Sequence, residues 1–297
     1  MSGDEKVKKN RDPIFATCLV IFMLAAVAVV GVYVNDHYIA EDNTEISYGD
    51  KVTVNYTGSF YDYYGEENAV VFDTSYSSVG NNDKIIKSNS FAKTSYSTLS
   101  FTVGGTDVLQ IFGDSVVGKK VGETVKVMVP AADAYPAPEA TETLKGGVYE
   151  VAVPGQLSKT QFKDLYGVDI TAGQSVTFTT VYGWDAVATL DNLRNTVSVE
   201  YRAEVGQTYD YTGNEDSDFG KVQFKVTSED ADSVTTQMIV TDYKSVGNGQ
   251  VQMIEVDVGG SEPFYITGVS GSDITVKHCG ENNNMDLYFE IEIVSID

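Results

Sequence analysis

Gly49-Asp50-Lys51-Val52-Thr53-Val54-Asn55-Tyr56-Thr57-Gly58 alternates with a period of two. Val52, Val54 and Tyr56 share one face, Thr53 and Asn55 the other. That is the pattern of a strand with one buried side, and Thr57-Gly58 ends the run. Downstream, Val70-Val71-Phe72 is a second short apolar run, and 74–98 is polar and reads as a long loop. Leu99, Phe101 and Val103 alternate again until Gly104-Gly105. Val108 to Val117 is the short-helix candidate of this half. Val125, Val127 and Val129 form a strand stopped by Pro130, and 131–142, with Pro136 and Pro138, reads as loop.

A new section opens at Val148–Pro154. Ser158 followed by Gln161, with Gly167 beyond, has the spacing of a capping box and a glycine stop, which predicts one short helix. Short alternating runs then follow at 175–181, 186–190, 196–201, 221–226, 233–241, 250–258, 264–269 and 274–277, separated by glycine turns. This reads as an all-β module. Leu287-Tyr288-Phe289-Glu290-Ile291-Glu292-Ile293 supplies one more alternating strand.

The chain has 297 residues, about right for two domains. It carries 43 acidic and 20 basic side chains, a formal charge of −23, which would repel a phosphate backbone and excludes nucleic acid as a partner. Apolar residues make up 42%, with 19 Tyr and 13 Phe, enough for a packed core. Cys18 lies in an N-terminal apolar run and Cys279 in the folded region, so no intrachain disulfide is expected. His37 and His278 form no zinc-site spacing, and neither a metal nor a cofactor is expected.

Residues 14–34 contain no charge and are long enough to span a bilayer as a helix. Lys6, Lys8, Lys9 and Arg11 precede this run, and Asp36, Glu41, Asp42 and Glu45 follow it. The positive-inside rule then places 1–13 in the cytoplasm and the rest outside, in the order span 14–34, linker 35–48, folded domains. A cleaved signal peptide is the other reading, because Ala26-Val27-Ala28 offers a small-x-small site.

The folded part resembles the FKBP-type peptidyl-prolyl isomerases, in particular the long archaeal, SlyD-like kind with a domain inserted in the flap. The resemblance rests on ordered stretches. These are Gly49–Gly58, Phe72-Asp73, Leu99-Ser100-Phe101-Thr102-Val103-Gly104, Val108-Leu109-Gln110-Ile111-Phe112, Gly118, Gly122-Glu123, Val129-Pro130 through Ala134-Tyr135, and the strand 287–293. It implies a mainly β (α+β) fold, an FKBP-like antiparallel sheet with one short helix. The isomerase domain would occupy 49–153 plus 279–297, interrupted by an inserted β-rich, chaperone-like domain at 154–278. Its decisive expectation is that the strand 287–293 joins the same sheet as Val52–Tyr56.

The resemblance also implies a site. Tyr56, Asp73 and Tyr135 are the expected catalytic residues, with Phe72, Phe101, Val108, Leu109, Phe112 and Phe289 binding the substrate. Tyr135 would donate its hydroxyl to a substrate carbonyl, and the Leu109 N–H would bind the next one. The chain departs from the family at Phe112, where many members carry Trp, at Leu99, where an aromatic is common, and at Pro136, where Gly is usual. Cys279-Gly280-Glu281-Asn282-Asn283-Asn284 lacks the Asn-His-Pro-like sequence that often precedes the last strand.

The partners implied are unfolded or prolyl-containing polypeptides, with the membrane reached through 14–34. A holdase chaperone on the same fold and a β-modular envelope adhesion protein are the alternatives; the ordered pocket motif speaks against the second. The acidic runs 214–218 and 229–232 lack EF-hand spacing and read as solvated turns. Asn55-Tyr56-Thr57 is a glycosylation sequon, but it lies inside the pocket strand, where modification is not expected.

Overall fold

The computed structural model describes residues 44–138, 141–214, 218–259 and 263–297. The expected span 14–34, the segment 1–13, Cys18, His37 and most of the acidic run 214–218 lie outside them. Among the described residues no helix is long and apolar enough to cross a membrane.

The first part of the chain forms β1 (Lys51–Phe60), β2 (Val70–Thr74), α1 (Ser77–Gly80), β3 (Leu99–Thr102), α2 (Gln110–Asp114) and β4 (Thr124–Val129). Then come β5 (Thr141–Leu144), β6 (Val148–Ala152), β7 (Leu157–Ser158), α3 (Lys159–Tyr166), β8 (Ser175–Thr179), β9 (Asp185–Asp191) and β10 (Thr196–Tyr201). The third stretch holds β11 (Thr208–Asp210), β12 (Lys221–Glu229), β13 (Ser233–Thr241), β14 (Ser245–Gly247), β15 (Gln250–Val256), β16 (Phe264–Ser270) and β17 (Asp273–Lys277). β18 (Leu287–Ile296) follows.

β1 is the hub of the first sheet. Its N-terminal half pairs with β3, its C-terminal half with β2, and its other edge with β18, which β4 flanks in turn. All these pairings are antiparallel. Tyr56 lies opposite Ile291, Gly58 opposite Phe289 and Phe60 opposite Leu287. Val52, Val54 and Phe60 of β1 and Leu287, Phe289, Ile291 and Ile293 of β18 are buried, because a two-residue period puts them all on the face that α2 covers. The decisive pairing is therefore present: the strand 287–293 lies against Val52–Tyr56. The mainly β expectation also holds.

Between β4 and β18 the chain builds three more sheets. One, in the order β7-β10-β9-β8, is covered by α3 and has its own core of Phe162, Ile170, Ala186, Ala188, Leu190 and Val197. The capping box of α3 is formed: Gln161 N–H donates to Ser158 Oγ at 3.2 Å and Ser158 N–H to Gln161 Oε1 at 2.9 Å. Gly167 ends the helix at φ 67°. The other two, β11-β12-β13-β6 and β14-β15-β16-β17-β5, face each other. Tyr149 on β6 meets Phe264 on β16 with ring centroids 5.7 Å apart.

Several boundaries differ from the sequence reading. Residues 141–152, grouped there with the first sheet, pair elsewhere: β5 with β17 and β6 with β13. A strand's own residues carry its pattern but not the identity of its partner. Within 154–278 the α3 sheet has its own core, while the buried residues of the other two sheets form one cluster with those of the first sheet. Ile46, placed in the linker, is buried and exchanges backbone hydrogen bonds with Gly118 and Lys119, since its side chain has apolar surface to hide. The first sheet is accompanied by two short helices rather than one, because α1 forms within the expected loop 74–98. That loop also returns to the sheet: Val71 N–H donates to Ile86 O at 3.0 Å, and Ser88 N–H to Val71 O at 2.9 Å.

Candidate active site

The buried face of the first sheet carries an aromatic nest. Phe112, the buried aromatic of α2, meets Phe289 edge-on at 5.0 Å, Tyr56 edge-on at 6.1 Å and Phe101 at 5.7 Å. Phe72 on β2 meets Phe289 edge-on at 5.6 Å and stacks on Phe60 at 4.8 Å. Each such pair adds ~0.5–1.5 kcal/mol beyond burial, so the nest fixes ring orientations as well as filling space.

Gly58 makes the nest possible. A Cβ there would stand 2.6 Å from Phe72 Cζ and 2.9 Å from Phe289 Cε1. Glycine inside a strand marks such a close approach.

One side of the nest is polar. Tyr56 donates its hydroxyl to Asp73 Oδ2 at 2.5 Å. Lys93 Nζ donates to Asp73 Oδ1 at 2.7 Å and lies 5.5 Å from the Tyr56 ring centre. The ion pair is partly exposed, so it is worth at most ~1 kcal/mol, and its main effect is geometric. Burial pushes the Tyr56 phenol well above its ordinary range, and the bond to Asp73 and its charge push the same way. The hydroxyl therefore stays protonated at neutral pH.

Tyr135 lies on the loop after β4, with 44% of its surface exposed. The segment before β18 clamps that loop. Asn284 N–H and Asn283 Nδ2 donate to the Tyr135 carbonyl at 3.1 and 3.2 Å. Ala137 N–H donates to Asn284 Oδ1, and Ala131 N–H to Asp286 Oδ1, each at 2.8 Å. Asn284 adopts φ 54°, a left-handed conformation that asparagine tolerates. Leu109 stands at the N-cap of α2, where its N–H precedes the first helical turn; Val108 and Leu109 are half-buried beside the nest.

The structure thus gathers Tyr56, Phe72, Asp73, Phe101, Val108, Leu109, Phe112 and Phe289 at one place. Tyr135 stands beside these residues on the loop after β4, held there through its carbonyl. Residues 42–179 match the family model for FKBP-type peptidyl-prolyl cis-trans isomerase. The chain carries an FKBP-type isomerase domain. No curated protein matches the chain. The strand β18, which brings Phe289, lies beyond the matched residues.

An FKBP-type isomerase needs neither nucleophile nor metal. A prolyl amide interconverts over a barrier of about 18–20 kcal/mol, because twisting the C–N bond breaks its conjugation. The twisted amide is less polar than the planar one. A dry aromatic nest that grips the proline ring favours it, and a hydroxyl such as that of Tyr135 can hold a neighbouring carbonyl.

Sequence reasoning missed four contributors. Lys93 is one of several lysines in a polar stretch, and nothing local marks it. Gly58 was read as the end of its strand, yet β1 continues to Phe60 and Gly58 lies inside it, the place where a glycine signals a close approach. Asn283 and Asn284 were seen only as a departure from the family, although an asparagine run suits a turn that must enter the left-handed region.

Proposed function

We propose that this isomerase is a single-pass membrane protein. Its FKBP-type domain works on the extracytoplasmic side, and the modules between β4 and β18 bind unfolded polypeptides and hand their prolyl bonds to the aromatic nest. The observation that carries the catalytic part is the convergence of Phe72, Phe112 and Phe289 beside the Tyr56–Asp73 bond. The membrane part is supported by the uncharged run 14–34 with basic residues before it and acidic ones after. Client binding is supported by apolar side chains left in solvent on the middle modules. Leu193, at the β9–β10 turn, is 98% exposed, and Val148 and Val205 are also exposed. A client held there meets the nest at a raised effective concentration.

Two measurements test this. Cys279 is partly exposed and free, so a membrane-impermeant maleimide should label it in intact cells; labelling only after lysis refutes the topology. The full chain should accelerate proline-limited refolding of a protein more than isomerisation of a short prolyl peptide. Leu193→Ser should reduce only the former. Equal acceleration of both substrates removes the client-binding role, and suppression of aggregation without any acceleration makes the protein a holdase.

A further inference from the structure

Glu281, in the segment between β17 and β18, is 5% exposed. Its carboxylate accepts four hydrogen bonds, from Asn89 N–H and Nδ2 at 3.0 and 2.9 Å on Oε1, and from Ser90 N–H and Oγ at 2.9 and 2.7 Å on Oε2. A buried carboxylate needs such a set of donors, and the donors in turn need it. Lys277 Nζ, also buried, donates to the carbonyls of Glu281 and Asn283 at 2.9 and 3.1 Å, which fixes the backbone carrying the carboxylate.

Two walls of the nest diverge from this point. Three residues beyond Ser90, Lys93 reaches Asp73, and the Tyr96 hydroxyl donates to the Lys93 carbonyl at 2.9 Å. Two and three residues beyond Glu281, Asn283 and Asn284 hold the Tyr135 carbonyl. Asn89 Nδ2 donates as well to the Met253 carbonyl on β15 at 3.2 Å, so the same knot ties the loop to the middle of the chain. We propose that Glu281 is a positioning residue of the isomerase, which sets Lys93 on one wall of the nest and Tyr135 on the other without touching the substrate.

The proposal rests on the isomerase activity of the domain. The test is steady-state kinetics of the full chain on a prolyl peptide, with Glu281→Ala, Glu281→Gln, Lys93→Met and Tyr135→Phe singly and combined. Glu281→Ala should lower kcat about tenfold with KM within about twofold, because the rings that grip proline stay in place. Glu281→Gln, which keeps one acceptor oxygen, should fall between. In the Lys93→Met or Tyr135→Phe background the further loss should shrink, the signature of residues acting as a unit. Should Glu281→Ala fail to fold, Asn89→Ala with Ser90→Ala removes the two side-chain bonds of the knot while its two backbone N–H bonds remain, and should give a smaller loss of the same kcat-selective kind. An unchanged kcat in the folded variants overturns the proposal. So does a loss fully additive with both partner substitutions, which would leave Glu281 a role in stability alone. A wild-type chain without acceleration overturns the activity itself, and the proposal with it.

Discussion

Tyr56 on β1 and Asp73 on β2 are joined at the polar side of the nest by a hydrogen bond of 2.5 Å. The other Asp73 oxygen accepts Lys93 Nζ at 2.7 Å, and Lys93 Nζ also donates to the Tyr56 hydroxyl at 3.4 Å. Asp73→Ala leaves the half-buried Tyr56 hydroxyl without its acceptor and Lys93 without its nearest one, at a cost of ~1–3 kcal/mol where a polar group stays buried. Prolyl-peptide kcat/KM should fall about tenfold or more. Tyr56→Phe, which removes the donor but keeps the ring against Phe112, should cost less.

Tyr135 is 44% exposed, its carbonyl is held by Asn283 and Asn284, and its hydroxyl is the donor that the family resemblance implies. Tyr135→Phe should leave stability within ~0.5 kcal/mol, as a surface change does, and lower kcat/KM several-fold. A chemical denaturation curve beside the rate assay separates the two.

Gly58→Ala should damage both fold and activity. The added methyl would meet Phe72 and Phe289 inside contact distance. Overpacking of this kind costs ~1–3 kcal/mol, and here the displaced rings are those that would grip proline. Thermal melts and the peptide assay should both report a loss.

Ser158→Ala removes one half of the α3 capping box. Loss of such a cap costs ~1 kcal/mol. Because the α3 sheet has its own core, amide exchange should quicken in residues 157–201 while the prolyl-peptide rate stays at the wild-type value.

Asp273 accepts Gly146 N–H and Lys145 Nζ, each at 2.8 Å, and these bonds hold its carboxyl below the ordinary range. A depressed folded value means that the unfolded chain takes up the proton first. The stabilisation is therefore whole above the unfolded carboxyl value of about 3.9 and drains away as pH falls through the folded one. Asp273→Asn should flatten that acid limb of the melting-temperature profile by lowering the neutral plateau, with little change at the acid end.

How much of this was legible depended on range. The alternation in β1 and β18 showed which face of each is buried, and the Ser158–Gln161–Gly167 spacing located α3. Tyr56, Phe72, Asp73, Phe112 and Phe289 were legible as a set because they sit in ordered, family-like stretches. What stayed hidden depends on distant partners. The pairing of β5 with β17, of Val71 with the returning loop and of Glu281 with Asn89 and Ser90 joins residues far apart in sequence. No local pattern encodes a partner so far away. Lys93 is the sharpest case, since its role exists only once that loop is folded back.

β1 and β18 also set the timing of this protein's own maturation. During synthesis β1 emerges first, and it must wait for its central partner until everything up to β17 has been made. Until then the edges of β1 and β4 that β18 will cover are unpaired, the state most exposed to wrong pairing. A chain cut short before Leu287 lacks Phe289 and with it one wall of the nest. A half-made molecule therefore presents an incomplete nest, and the complete nest exists only after the middle modules have been translated. The order of elements along the chain thus ties completion of the first sheet to the modules that precede β18.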